Sequence, residues 1–211
     1  MPTTPGARPL RAPGRDALLE RFEAALEKKE GASGAHCIHE LWMRNEPPMN
    51  IEAMLARLWS AAADTVPEWL PMRYVSWLPL AYEVAARFQG KGRGRSNLYL
   101  VLLDYSDRGG EPYGVYVGAT RYAPAARFDQ HKAGIRAAGS VLKRGLEVLT
   151  GPVLHLQRIP SGQAAEIEEC SPKRSGQRAC WFAAGTRSKQ HGSALRVTRG
   201  EHWQAPRRDL P

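Results

Sequence analysis

A chain of 211 residues with 43% hydrophobic content can form one domain or two small ones with a real core, which excludes a globally disordered protein. No apolar run approaches the ~18 residues of a membrane span, since WLPLAYEVAA is broken by Pro79 and Glu83, and no membrane partner is expected. The formal charge of +9 is uneven: residues 170–211 hold nine Lys/Arg and two Asp/Glu, which makes this segment a candidate for attraction to a polyanion or a solvated tail without a partner.

Residues 1–15 (MPTTPGARPLRAPGR) are rich in Pro and Arg and lack an apolar stretch, so they read as a disordered tail and not as a secretory signal. Residues 16–30 place Leu18, Leu19, Phe22, Ala25 and Leu26 on one helical face, with Asp16 as N-cap and Gly31 as the stop. His36, Cys37 and His39 in AHCIHEL lack a fourth ligand for a structural metal site and read as ordinary surface or core. Cys37, Cys170 and Cys180 are far apart, which fits a reducing, cytoplasmic setting. A second helix is expected over 51–63 with Asn50 as cap. A third is expected near 76–88, with Pro79 in its first turn. Trp42, Trp59, Trp69 and Trp77 read as the core of this helical region, 16–89.

GKGRGRS at 90–96 reads as a basic linker. Residues 98–103 form an apolar run and 113–118 alternate, with DYSDRGGEP between them, so a long-looped β-hairpin is expected. A helix is expected over 124–138, a short helix over 140–149, a third strand over 151–159, and another helix from Gln163. Ser171-Pro172 cuts that last helix short, and no period of either kind follows Cys170, so 170–211 read as a basic, irregular tail. The fold class expected is mixed α/β (α+β): a small antiparallel three-stranded sheet flanked by helices, preceded by an all-helical N-terminal region.

Leu98-Tyr99-Leu100, Val115-Tyr116-Val117-Gly118, then Arg127 and His131 resemble the GIY-YIG nuclease family over about residues 97–169. In that family two motifs lie on neighbouring strands, an arginine and often a histidine follow on the next helix, and a glutamate on a later helix binds one divalent metal. Two departures stand out. Asn97-Leu98 replaces the family's Gly-Ile, and a late asparagine of many members has no counterpart here.

A loop centred near Arg108-Gly109 sets Tyr99 opposite Gly118 and Val101 opposite Tyr116, so both tyrosines share one face. Gly118 is expected to leave a space between the phenols for a phosphate. Arg127 and His131, at i and i+4, project from one helical face. In QAAEIEE, Glu168 continues the stripe begun by Ala164 and Ala165, and Glu166 is the runner-up. The bland alternative is a pair of core tyrosines with a solvated arginine and histidine.

The resemblance implies a metal-dependent endonuclease that hydrolyses phosphodiesters. Tyr99 orients the water or the phosphate, Tyr116 is the general base, with His131 as an alternative proton acceptor, and Arg127 neutralises the phosphate. Glu168 holds one Mg²⁺ or Mn²⁺. DNA is the expected partner ahead of RNA, and the helical N-terminal region can dock a protein. An inactive nucleic-acid-binding or interaction protein on the same scaffold is the competing reading, because the helix carrying Glu168 is short.

Overall fold

The computed structural model describes residues 6, 8–107, 112–133, 141–169 and 194–196. Three helices open the fold: α1 (Arg15–Glu27), α2 (Gly31–Met43) and α3 (Pro48–Ala62). The stripe expected for α1 is buried at Leu18, Phe22 and Ala25, although the helix starts one residue before Asp16 and that side chain makes no cap. In α3, Ile51, Met54, Leu55 and Leu58 are buried as the periodicity requires. The helix begins earlier than expected, at Pro48, so Asn50 lies inside it and donates to Glu46 at 2.7 Å.

Gly31 does not end a helix. It begins α2, packed so tightly against Thr65 and Val66 that a Cβ there would stand 2.4 Å from Val66 N. The chain reverses just before it, with Lys29 in a left-handed conformation at φ 55°. Nine residues of α2 are buried, from Gly31 round to Trp42. A helix covered on most sides shows no apolar stripe, which is why periodicity does not reveal it.

The expected disordered tail is also partly tied down. Arg8 donates to Glu40 at 3.0 and 2.7 Å, and Arg44 donates to the same carboxylate at 2.7 Å. Arg44 further holds the carbonyls of Leu10, Arg11 and Pro13. Glu40 is buried, and its two arginines hold its carboxyl below the usual range against the opposing effect of burial. A buried acid with two guanidiniums is costly to leave unpaired, so it fixes the segment that supplies them.

His39, the residue just before Glu40, has no such partner. It is 2% exposed, packed against Trp69 and Tyr82, with Nε2 unbonded among the described residues. Burial, reinforced by His36, lowers it from 6.5 to about 4. A depressed histidine keeps its stabilising neutral form above the unfolded value and loses it as pH falls through the folded one. We expect the fold to lose about 3 kcal/mol between pH 6.5 and 4 from this residue. His39→Phe keeps the ring packing and flattens that stretch of a urea-melt series against pH. An unchanged pH slope rejects the assignment. Glu40 acts lower, its contribution fading below the ordinary carboxylate value of 4.5.

After α4 (Leu78–Ala85), with Pro79 in its first turn, the hairpin forms: β1 (Asn97–Asp104) against β2 (Tyr113–Thr120). Its register pairs Tyr99 with Gly118 and Val101 with Tyr116, as expected from the loop centre. Helix α5 (Pro124–Lys132) follows; residues 134–138 of the expected helix lie outside the described residues.

The stretch expected as a short helix instead makes a 3-10 turn (Val141–Arg144) and strand β3 (Gly145–Leu149), paired antiparallel with β1. Gly145 belongs there because a Cβ would stand 2.5 Å from Phe128 Cε2. The stretch expected as the third strand is largely a 3-10 helix, Gly151–Leu156, whose buried Val153 and Leu156 are three apart. Pro152 lacks an N–H for a ladder. A single bridge, Ser96 to Ile159, remains of the expected pairing. Helix α6 (Ser161–Glu169) closes the described region.

The tail supplies a fourth strand that the sequence did not suggest: β4 (Ala194–Arg196) pairs antiparallel with β2 at the sheet edge, giving the order β3-β1-β2-β4. Apart from β4, residues 170–211, expected as a basic, irregular tail, lie outside the described residues.

The fold is mixed α/β with a small antiparallel sheet. Its two faces have different companions. Leu98, Leu100, Leu102, Val115 and Val117 join the core of the N-terminal helices, with Trp42 and Trp77 buried in it and Trp59 and Trp69 at its margin. Tyr99, Val101, Leu103 and Tyr116 face the other way, under Phe128 and Leu142. The expected linker is clamped within this frame. Gly94 N donates to Arg158 O at 2.7 Å, and a Cβ on Gly94 would stand 2.0 Å from Ile159 O.

Candidate active site

Alternation along β1 and β2 puts Tyr99 and Tyr116 on the face away from the helical core. Their ring centroids are 6.1 Å apart and tilted by 48°. The Tyr99 hydroxyl lies 3.5 Å from His131 Nε2, a long contact, and also hydrogen-bonds Tyr116. His131 reaches the sheet because α5 is fastened by Phe128, which fills the room left by Gly145.

Arg127 is half-buried one turn earlier on α5, where Nη1 donates to Gln130 Oε1 at 3.1 Å. Glu168 is half-buried on α6, whose Ala164 and Ile167 anchor it in the core, while Glu166 and Ala165 are exposed. Residues on four elements thus act on the two phenols. Glu168 and Arg127 act with opposite signs on both phenols, and Arg127 also acts on His131.

Burial raises Tyr99, with Tyr116 adding to the effect and Arg127 opposing it. Tyr116 is raised by burial and then by Glu168, partly offset by the Tyr99 hydrogen bond and by Arg127. The direction disfavours the phenolate that the sequence reading required of Tyr116 as general base. His131 is lowered, by burial first and then by Arg127, which favours its neutral, proton-accepting form.

Gly118 differs from its expectation. The space beside it is filled, since a Cβ there would stand 2.7 Å from Tyr99 Cζ and Oη and 2.8 Å from Tyr116 Cε1. The missing side chain lets the two phenols close over the strand instead of opening a slot for phosphate. Tyr99 and Tyr116 are only 1% and 4% exposed, so Arg127 and Glu168 form the accessible rim.

Among the described residues no group of three or more His, Cys, Asp or Glu is gathered as a metal site. Among the described residues Glu168 is the carboxylate whose charge acts on both phenols, and a carboxylate is a hard oxygen donor of the kind Mg²⁺ or Mn²⁺ takes. Cys37 lies in α2, in the helical core on the other face of the sheet, where burial pushes its thiol up to about 11. A cavity of about 510 Å³ lined by His39, Met43, Tyr82, Phe88 and Leu154 lies elsewhere and includes none of the five residues.

No family model, curated protein or solved structure matches this chain.

Gln130 was not singled out by the sequence. Its i+3 spacing from Arg127 on a helix is the signal that points to it. Asn97, which stands where the resembling family has glycine, opens strand β1. Its side chain bonds Tyr122 O and Arg158 N, both at 2.9 Å.

Proposed function

We propose that the protein is a metal-dependent endonuclease that hydrolyses phosphodiesters in DNA. The observation that carries this reading is the pair of phenols, Tyr99 and Tyr116, packed on one face of the sheet with His131 of α5 against Tyr99, while the charges of Arg127 on α5 and Glu168 on α6 both act on the phenols. Two phenols, a guanidinium, an imidazole and a carboxylate suit a reaction that gathers negative charge and moves one proton.

Arg127 meets the phosphate at the rim and neutralises charge there, with Gln130 fixing its fork. His131 accepts the proton, directly or through the Tyr99 hydroxyl it faces. Tyr99 and Tyr116 remain phenols that donate to and orient the attacking water or the phosphate oxygens. Glu168 would hold the divalent cation, which when bound supplies Lewis-acid stabilisation of the phosphate and leaving oxygens. No helix among the described residues is long and apolar enough to cross a membrane, and the basic tail gives the chain an added attraction for nucleic acid.

Supercoiled plasmid incubated with Mg²⁺, with Mn²⁺ and with chelator tests the reading. Metal-dependent nicking or linearisation is expected. No cleavage under either metal favours the second reading, a binding protein without catalysis, which draws on the near-complete burial of both phenols.

The pH profile separates the proton acceptors. His131 sits below its ordinary 6.5 and works deprotonated, so the rate rises with pH through that lower value. It should be level from about pH 7 to 9. A Tyr116 base, raised above the ordinary 10, would give a rate climbing about tenfold per pH unit through pH 9. kcat/KM measured from about pH 5 to 9.5 decides between them.

A further inference from the structure

Asn97 opens β1 on the same face as Tyr99, two residues or about 7 Å along the strand. Its side chain gathers two other segments. Nδ2 donates to Tyr122 O and Oδ1 accepts from Arg158 N, each at 2.9 Å. Arg158 O accepts in turn from Gly94 N at 2.7 Å. Residues 93–95, 121–122 and 158 are therefore neighbours around the end of the strand that carries Tyr99.

Each segment brings an exposed arginine: Arg93 and Arg95, Arg121, and Arg158. Among the described residues none of the four is engaged in an ion pair, whereas Arg8, Arg15, Arg44, Arg57, Arg73 and Arg144 all are. Arg158 is also held in a left-handed backbone conformation, φ 57°, uncommon for a residue with a side chain. Its N–H and carbonyl are both bonded there, so the fold maintains the conformation and leaves the side chain outside. Among these cations stands Tyr122, 52% exposed, one of the most exposed large apolar residues described.

We propose that this patch binds an unpaired nucleic-acid strand, with the arginines on successive phosphates and a base stacked on Tyr122. Four unpaired guanidiniums match a polyphosphate backbone. An exposed phenol ring among them matches a base face, which a closed duplex hides within its stack. An acidic peptide offers charge to the arginines but no flat partner for the ring. The claim that the bound strand leads to the phenols rests on the endonuclease reading; strand binding itself does not.

The test is fluorescence anisotropy on the full chain, in chelator so that no cleavage intervenes, with labelled single-stranded DNA, single-stranded RNA and a blunt DNA duplex. The unpaired strand should bind at least tenfold more tightly than the duplex. Tyr122→Ala should weaken strand binding about tenfold, the size expected for one stacked base. Tyr122→Phe should retain it. Replacing Arg93, Arg95, Arg121 and Arg158 together by Ala should flatten the slope of log K against log salt by about 3, at roughly 0.7 per phosphate on a single strand. All five residues are exposed, so thermal melts of the variants should match the parent. Equal affinity for duplex and strand, no binding to either, or indifference to Tyr122→Ala overturns the proposal. A preference shared by DNA and RNA supports backbone and base-face recognition; a preference for one identifies the natural strand. Plasmid cleavage is scored separately: strand binding without cleavage leaves this surface standing and removes the endonuclease reading. Cleavage without Tyr122-dependent binding does the reverse.

Discussion

Glu168→Ala is expected to remove metal-dependent cleavage, by at least ~10²-fold, while leaving DNA affinity nearly unchanged. Among the described residues Glu168 is the carboxylate whose charge reaches both phenols, so its loss takes away the anchor for a cation at that spot. Glu166→Ala, on the exposed side of the same helix, should do far less. Alanine is the best helix former, so neither change should unfold α6. Binding of Mn²⁺ followed by its paramagnetic resonance signal gives a readout besides activity: the parent and Glu166→Ala should bind the ion and Glu168→Ala should not. Should Glu166→Ala be the inactive variant, the carboxylate has been assigned to the wrong side of the helix. If neither substitution alters an active preparation, no cation on α6 takes part.

How far the sequence exposed this arrangement depends on which pattern wrote each element. The hairpin was legible because its loop chemistry and its alternation agree, and together they fix the register of Tyr99 against Gly118. The helices α1 and α3 were legible because each buries one stripe. Helix α2 was hidden by being covered nearly all round. The third strand was misplaced because GPVLHLQRI alternates in letters while its buried contacts fall three apart in a 3-10 helix. Gly145, inside the stretch expected as a short helix, opens β3 and makes room for Phe128. That contact is one of those that seat α5, which carries Arg127 and His131, against the sheet. β4 escaped notice because three paired residues in a long irregular segment carry no period at all. The residues of the candidate site were named by the family resemblance together with their spacing. Their degree of burial could not be read that way, and burial decides that the phenols are raised and the imidazole lowered.

Gly118→Ala should cost about 10²-fold in cleavage rate through the phenols alone. The new Cβ would meet Tyr99 Cζ and Oη at 2.7 Å and Tyr116 Cε1 at 2.8 Å. Ordinary carbon contacts lie near 3.5–4.0 Å, so at least one ring must move by about 1 Å. A displacement of that size at reacting groups is worth about 10²-fold. Overpacking should also lower stability, by about 1–3 kcal/mol, since both rings are buried between β1, β2 and α5. A double-mutant cycle separates crowding from any strain in the strand itself. In a Tyr99→Leu background much of the clash partner is gone, so Gly118→Ala should destabilise that variant far less than the parent. If the glycine is needed only for the backbone of β2, the two costs will be equal. If Gly118→Ala leaves cleavage intact and costs nothing in stability, the phenols are not packed over the strand as described, and Tyr99 and His131 lose their proposed contact.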